Sequence, residues 1–195
     1  MRRLLAAFLL VGLAAAGWYL LAGGRDVVDR ARYPLRYDAI VRTHARNYRL
    51  DPALLAAVIA VESHFKPHVR SPAGAIGLMQ LLPDTAKGIA TRTGGDRFAV
   101  SDLDTPEINV RYGAWYLRHL IDRYSSHADA LDLALAAYNA GSGNVDTWVG
   151  ETPAGAAVVI PDAFSETRAY VHRVRSYERV YRRIYARRLG VRKKR

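Results

Sequence analysis

Residues 51–80, DPALLAAVIAVESHFKPHVRSPAGAIGLMQ, decide the fold of this chain. Asp51 is a favourable N-cap residue and Pro52 suits the first helical position, so a helix is predicted to begin here. The next nine residues carry no charge on any side, which is typical of a helix buried in a domain core. Pro67 limits the extension of this helix, and we predict that it ends near Phe65.

Glu62 is the first charged residue inside this helix. It follows Leu55, Val58 and Ile59 at helical spacing and therefore shares a face with them. A carboxyl group on an apolar face loses hydration, which favours its neutral form and raises its pKa. Such a group suits general acid catalysis near neutral pH. Helix position alone also allows a structural interpretation, in which Glu62 is solvated or paired with an arginine.

The composition limits the classes of protein to consider. A chain of 195 residues suggests one domain with appended segments, and a hydrophobic content of 50% is ample for a core. The net charge of +11 indicates an anionic environment, such as nucleic acid, acidic lipid or an acidic polymer. The absence of cysteine excludes disulfides, thiolate metal sites and a cysteine nucleophile.

The N-terminus carries Arg2 and Arg3 ahead of a mostly apolar, uncharged run over residues 4–24. About twenty such residues can cross a bilayer as a helix, and the two arginines place the N-terminus in the cytoplasm. Residues 1–24 are therefore predicted to be a signal anchor. A cleaved signal peptide is the alternative, because small residues at Ala22 and Gly24 permit cleavage. Either way, the remainder of the chain is exported.

Helix signals recur along the exported part, where apolar residues return at helical spacing. They predict helices over residues 37–48, 83–94, 106–124, 129–140 and 165–184. No strand pattern of useful length occurs, and at most a small β element is predicted near residues 77–82. The predicted fold class is therefore mainly α.

Several short motifs occur in a fixed order: ES at 62–63, SPAGA at 71–75, GLMQ at 77–80 and AYNAG at 137–141. PEIN at 106–109 and ETR at 166–168 accompany them. Together they resemble the lytic transglycosylases of the soluble murein transglycosylase type, in glycoside hydrolase family 23. The resemblance implies a lysozyme-like fold of the goose type.

The same resemblance, which covers residues 37–185, suggests a division of the chain. The catalytic domain is predicted over residues 37–186, preceded by a charged linker over residues 25–36. Residues 187–195 are predicted to be a basic tail, either solvated or in contact with anionic polymer or lipid.

The resemblance also implies an activity, which is cleavage of the β-1,4 bond between N-acetylmuramic acid and N-acetylglucosamine without water. Glu62 would act as general acid and then as general base, and the sugar's 6-hydroxyl would close a 1,6-anhydro ring. If a second carboxylate, Asp84 or Glu166, reaches the site, a lysozyme-type hydrolysis becomes the alternative. A non-catalytic murein-binding assembly module is the remaining alternative.

The implied partners are peptidoglycan glycan strands and, through the N-terminal helix, the membrane. The expected location is the periplasmic side of the inner membrane, or the free periplasm after signal cleavage. The carboxylates of murein stem peptides complement the positive charge of the chain as well as DNA would. Because the chain is predicted to be exported, nucleic acid is not an expected partner. No cofactor is implied. His64 and His68 have metal-ligand spacing, but Pro67 interrupts the helix and no metal site is predicted.

Further substrate-binding residues follow from the motifs: Ser63, Ser71, Gly77, Met79, Gln80, Tyr138, Asn139 and Glu166. The resemblance implies that Ser71 contacts the sugar's acetyl group and that Tyr138 donates its hydroxyl towards Glu62 or the sugar. It assigns Glu166 to the cleft, where it would face the stem peptide. By residue type alone, Met79 and Tyr138 are also compatible with a position in the core, and Ser63 is compatible with a hydrogen bond to the helix backbone. We assign Tyr170 to packing.

Overall fold

The computed structural model describes residues 2–21, 24–153 and 156–191. Within these ranges the chain forms ten α-helices: α1 Arg2–Leu21, α2 Gly24–Arg32, α3 Asp38–Asn47, α4 Pro52–Ser63, α5 Pro83–Thr93, α6 Pro106–Arg123, α7 Ala130–Ala140, α8 Ser142–Glu151, α9 Ser165–Ile184 and α10 Ala186–Leu189. Two short 3₁₀ helices, Val100–Asp104 and Asp162–Phe164, are also present. In the described ranges, β structure is limited to isolated bridges that pair Ile76 with Arg70 and with Leu81. The mainly α prediction is confirmed.

The chain divides into two units, Met1–Pro34 and Leu35–Arg195. The first unit contains α1 and α2, and α2 occupies most of the segment for which a linker, but no helix, was predicted. No single helix among the described residues is both long and apolar enough to cross a membrane. Ala7–Leu21 and Gly24–Arg32 satisfy that requirement only as a pair, bent by 63°. The predicted anchor therefore stays a prediction, and Ala22 lies outside the described residues.

Helix α4 lies at the centre of the second unit. Its start matches the prediction, because Oδ1 of Asp51 accepts the N–H of Ala53 at 2.7 Å and Pro52 occupies the first turn. The side chains from residue 53 to residue 60 are all buried, and α4 packs against α9, α3 and α10. This burial explains why the helix carries no charge before Glu62.

Helices α5, α6, α7 and α8 build much of the rest of the second unit. Helices α5 and α6 begin at Pro83 and Pro106, as predicted. Helix α7 packs against α6, α8 and α9. Helix α8 was not predicted, because Gly141 and Gly143 indicated the end of α7 and not the start of another helix. Gly141 does end α7 with φ +87°, but a new helix begins at the next residue.

The folded unit extends further towards the C-terminus than residue 186. Leu189 of α10 is buried, and the Arg188 guanidinium donates to Oδ1 of Asp38 at 2.9 Å. The first residues of the predicted basic tail are therefore part of the domain, because α10 covers an apolar surface next to α3 and α9. Residues 192–195 lie outside the described residues.

Candidate active site

Glu62 lies in the last turn of α4 and faces a cleft of about 460 Å³. The cleft runs between the loop that follows α4, helix α6, the end of α7 and the start of α9. Six of the nine predicted site residues line it: Glu62, Ser71, Gln80, Tyr138, Asn139 and Glu166. Residues distant in sequence are thus brought to one surface, with Glu62 among them.

The environment of Glu62 favours its protonated form. Burial raises the pKa of Glu62 to about 7, although the hydrogen bond from Tyr170 and the charge of Arg173 oppose this shift. The Tyr170 hydroxyl donates to Oε1 of Glu62 at 2.7 Å. Burial thus outweighs both opposing effects, so a large fraction of Glu62 carries a proton at neutral pH.

Tyr170, and not Tyr138, donates a hydrogen bond to Glu62. Tyr170 is buried, but its hydroxyl also holds the Glu62 carboxyl group, so the assignment to packing alone is wrong. Tyr138 does not bond to Glu62. Its hydroxyl donates to the main-chain oxygen of Met79, in the loop after α4, at 2.8 Å. Tyr138 still lines the cleft and packs against Tyr116 with 5.5 Å between ring centroids.

Asn109, a fully buried residue of α6, anchors the loop after α4 through hydrogen bonds. Nδ2 of Asn109 donates to the main-chain oxygens of Ile76 at 2.8 Å and Leu103 at 2.9 Å. Its Oδ1 accepts the N–H of Met79 at 2.8 Å. One amide side chain thereby satisfies three buried main-chain groups and fixes the loop to α6.

Gly77 and Met79 shape the cleft without lining it. Gly77 has φ +80°, and a Cβ there would overlap the Asn109 amide and lie 2.6 Å from the Leu103 carbonyl oxygen. Met79 is buried, and its side chain fills the space that Gly113 of α6 leaves open. Both residues serve close packing of loop on helix, so the structure does not bring them to the position of a substrate contact.

Ser63 is also a supporting residue. It is buried, and its hydroxyl donates to the main-chain oxygens of Leu78 at 2.8 Å and Ile59 at 3.1 Å. The serine therefore ties the end of α4 to the loop, directly behind Glu62. This corresponds to the backbone-bonded alternative for Ser63 and not to a sugar contact.

The other predicted residues are presented at the cleft surface. The Ser71 hydroxyl accepts the N–H of Ala75 at 3.0 Å. Nε2 of Gln80 donates to the carbonyl oxygens of Gly77 at 3.0 Å and Val69 at 3.1 Å, and its Oε1 has no protein donor among the described residues. Oδ1 of Asn139 accepts the hydroxyl of Thr167 at 2.8 Å. These bonds fix the orientation of each polar group in the cleft wall.

The two candidate second carboxylates differ in position. Glu166 is exposed in the first turn of α9 and lines the same cleft as Glu62. Asp84 lies outside the cleft and pairs with Lys87 at 3.3 Å. Among the described residues, no group of three or more His, Asp or Glu side chains is placed to hold a metal ion.

Asn109 and Tyr170 support the site although the sequence did not predict them as site residues, and Thr85 and Tyr116 also line the cleft without having been predicted to do so. Asn109 belongs to the PEIN motif, and a signal was available because it is a polar residue on the apolar face of α6. Tyr170 offered no comparable signal, because it recurs at helical spacing with Val174, Tyr181 and Ile184, which are all buried. An aromatic residue in such a series is usually core.

The fold and the site together define a lysozyme-like helical domain in which a desolvated glutamic acid faces a cleft. The model of the transglycosylase SLT domain family matches residues 39–159. The chain belongs to this family.

Named relatives agree with this assignment. The chain is 36% identical over 160 residues to a soluble lytic murein transglycosylase of Salmonella typhimurium, covering 77% of this chain and 24% of the relative. It is 38% identical over 132 residues to a membrane-bound lytic murein transglycosylase C of Actinobacillus pleuropneumoniae, covering 65% of this chain and 35% of the relative.

A solved structure has the same fold. The lytic transglycosylase Slt of Pseudomonas aeruginosa, solved as an inactive mutant, superposes with a TM-score of 0.70 at 34% identity. The match covers 79% of this chain and 25% of that chain. The chain thus spans about a quarter of the length of Slt and of the Salmonella relative.

Proposed function

We propose that this protein is a peptidoglycan lytic transglycosylase with Glu62 as its catalytic residue. The observation that carries the proposal is a glutamic acid with a pKa of about 7 facing the cleft of a transglycosylase SLT domain. Relatives named as lytic murein transglycosylases support murein as the substrate.

The proposed reaction uses Glu62 twice. The protonated carboxyl group donates its proton to the glycosidic oxygen as the bond to C1 of N-acetylmuramic acid breaks. The 6-hydroxyl of the same sugar then attacks C1, and the Glu62 carboxylate takes the proton that this hydroxyl releases. The products are a free 4-hydroxyl on N-acetylglucosamine and a 1,6-anhydro-N-acetylmuramic acid end. Glu62 returns to its protonated form, and no water is consumed.

Hydrolysis of the same bond is the second candidate function. It is supported by the position of Glu166. Glu166 lines the cleft together with Glu62, so a water held by its carboxylate is a competing nucleophile. Such a reaction would leave a reducing N-acetylmuramic acid end, as in a lysozyme-type muramidase.

The test is digestion of purified peptidoglycan, followed by mass analysis of the products. We expect anhydro ends from the wild type and none from Glu62→Gln. Hydrated reducing ends would support the muramidase instead. Full activity of Glu62→Gln in cells would favour a non-catalytic murein-binding module. Glu151→Gln is the matched control, because it neutralises an exposed carboxylate at the end of α8, outside the cleft.

We further propose that the N-terminal segment anchors the domain on the periplasmic side of the inner membrane. The apolar run over residues 4–24 and a relative named as membrane-bound support this location. The test is N-terminal sequencing of the protein extracted from membranes. An intact Met1–Arg2–Arg3 end supports the anchor, whereas a new N-terminus near residue 24 supports signal cleavage and release into the periplasm.

A further inference from the structure

A cavity outside the cleft lies beside α3, the start of α4 and the end of α10, and we call it the basic groove. It has a volume of about 410 Å³. Helix α3 contributes Arg42, Thr43 and Arg46 to its lining, and Leu189 and Gly190 line it from the end of α10. In the described part of the chain, the basic groove shares no lining residue with the cleft.

The titratable side chains that line the basic groove are two arginines, Arg42 and Arg46. Both are exposed and lie one helical turn apart on α3. Neither side chain makes a hydrogen bond or ion pair with any residue that the structure describes. Like charges at this spacing repel each other and weaken a helix. Helix stability therefore does not account for the pair, whereas an anion bound between them would.

The carboxylates nearest to these arginines in the sequence are paired elsewhere. The Arg188 guanidinium donates to Oδ1 of Asp38 at 2.9 Å, in the first turn of α3. Arg182 of α9 pairs with Asp51, the N-cap of α4. Since both carboxylates already have a cation as partner, the two arginines of the basic groove remain open to an anion from outside the chain.

The basic groove combines its two cations with a hydroxyl group and an apolar floor. Thr43 is exposed, and its hydroxyl makes no hydrogen bond within the described ranges. Leu50 and Leu189 are buried where they line the groove. Guanidinium groups bind phosphate oxygens through paired N–H donors, and a hydroxyl group supplies a further donor. This set matches a phosphate ester that carries a short apolar part.

The sequence on either side of the basic groove favours a lipid as the source of that phosphate. Helix α3 begins at Asp38, shortly after the segment that we propose as the membrane anchor. Gly190 lines the groove, and four further cations follow it in the sequence at 192–195, outside the described residues. Clusters of lysine and arginine close to a membrane segment attract anionic lipid headgroups.

The basic groove and the catalytic carboxyl group lie at opposite ends of α4. Pro52 lines the groove in the first turn of this helix, and Glu62 lies in the last turn. A helix rises about 1.5 Å per residue, which separates the two positions by about 15 Å along the axis. A headgroup in the basic groove therefore does not compete with a glycan in the cleft.

We propose that the basic groove binds the headgroup of an anionic phospholipid. Arg42 and Arg46 pair with the phosphate oxygens, and the apolar floor contacts the glycerol backbone. This contact holds the catalytic domain at the membrane surface in addition to the anchor. The inference rests on the proposed membrane location and not on the lyase reaction.

The test titrates the full-length protein, kept in a neutral maltoside detergent, with short-chain phosphatidylglycerol. Separate samples receive short-chain phosphatidylcholine, inorganic phosphate or a murein stem peptide. The arginines carry nitrogen-15, and NMR follows their Nε–Hε signals, which are assigned from the single variants Arg42→Gln and Arg46→Gln. The N-terminal segment meets the same detergent in every sample, so differences between samples report on the added headgroup.

We expect phosphatidylglycerol to shift the signals of Arg42 and Arg46 and to bind more tightly than phosphatidylcholine. The double variant Arg42→Gln/Arg46→Gln should reduce this preference by about three- to tenfold, as for two ion pairs at exposed sites. Arg92→Gln/Arg97→Gln is the matched control, because it removes the same charge from two exposed arginines outside the basic groove. The control should retain the preference.

Equal binding of the two lipids overturns the proposal, as does an unchanged preference in Arg42→Gln/Arg46→Gln. An equal loss in the control also overturns it, because net charge alone would then account for the preference. Larger shifts with inorganic phosphate would assign the groove to a free anion, and larger shifts with the stem peptide would assign it to murein; either result contradicts a lipid site. A circular dichroism spectrum confirms that the double variant is folded.

The outcome is separable from that of the proposed function. If the wild type yields no anhydro products although phosphatidylglycerol shifts both signals, the proposed lyase reaction fails and the lipid site stands. If the N-terminus proves to be cleaved while the lipid preference is present, the anchor fails and the basic groove supplies a peripheral contact with the membrane.

Discussion

Neutralising Glu62 should stabilise the protein, and the gain should depend on pH. An ordinary glutamic acid has a pKa of 4.5, whereas burial raises that of Glu62 to about 7 in the folded protein. The difference corresponds to about 3 kcal/mol that favours the unfolded chain once the carboxyl group is ionised. Glu62→Gln removes this cost and keeps the size of the side chain.

The pH window follows from the two pKa values. Below pH 4.5 the carboxyl group is protonated in both states, so Glu62→Gln should have little effect. Between pH 4.5 and about 7 the unfolded chain releases its proton while the folded protein retains it, and the folded wild type loses stability progressively. Above pH 7 the Glu62 carboxyl group is ionised in both the folded and the unfolded protein, and the full loss of stability of about 3 kcal/mol persists.

Thermal unfolding at pH 4 and pH 8 measures this effect. In a chain of this length each kcal/mol moves the Tm by about 2–4 °C, so Glu62→Gln should unfold about 6–12 °C higher at pH 8. Glu166→Gln is the control, because it neutralises an exposed carboxyl group of the same cleft and should change stability by less than about 0.5 kcal/mol. An equal gain at both pH values, or a loss at pH 8, would refute the reasoning.

Three further outcomes are expected. Tyr170→Phe removes a hydrogen bond that lowers the pKa of Glu62, so the pKa of Glu62 should rise by about one unit. Carbon-13 NMR of the Glu62 carboxyl group measures this change, and Tyr138→Phe should leave the pKa nearly unchanged. Asn109→Ala leaves three buried main-chain groups without a partner and should cost about 3 kcal/mol or more in urea denaturation. His64→Gly should add about 1 kcal/mol in the same assay, because the exposed His64 has φ +52°, where side chains are strained.

Each of these outcomes has a contrary result. A Glu62 pKa that falls in Tyr170→Phe would mean that the hydroxyl does not stabilise the carboxylate. A loss of less than about 1 kcal/mol in Asn109→Ala would mean that water or relaxation replaces its hydrogen bonds. Destabilisation by His64→Gly would show that the imidazole ring makes a contribution larger than the backbone strain.

Local signals in the sequence predicted the framework of the site well. Asp51 and Pro52 specify the start of α4, and the uncharged run that follows specifies its burial, so Glu62 is located at the end of a core helix. These features depend on neighbouring residues alone. Helix α8 was missed because only Val145 and Trp148 of its ten residues are buried, between glycines that indicate a break.

The partners inside the site were less predictable, because they depend on tertiary contacts. A sequence motif indicates which residues belong to the site, but it does not indicate whether their side chains face the cleft or the core. Gly77 and Met79 belong to the same short motif as Gln80, yet only Gln80 reaches the cleft. Tyr170 and Tyr138 are both aromatic residues at helical spacing, yet Tyr170 bonds to Glu62 whereas Tyr138 bonds to the main-chain oxygen of Met79.

The bond between Tyr170 and Glu62 joins residues 108 positions apart, so the surroundings of Glu62 are completed late in synthesis. A ribosome delivers α4 long before α9, and until α9 docks, the carboxyl group at position 62 is hydrated and ionised at neutral pH. Under the proposed function, the proton donor therefore exists only in a chain whose α9 has docked on α4. A nascent chain would then not cleave a glycosidic bond, and the order of synthesis would delay the proposed activity.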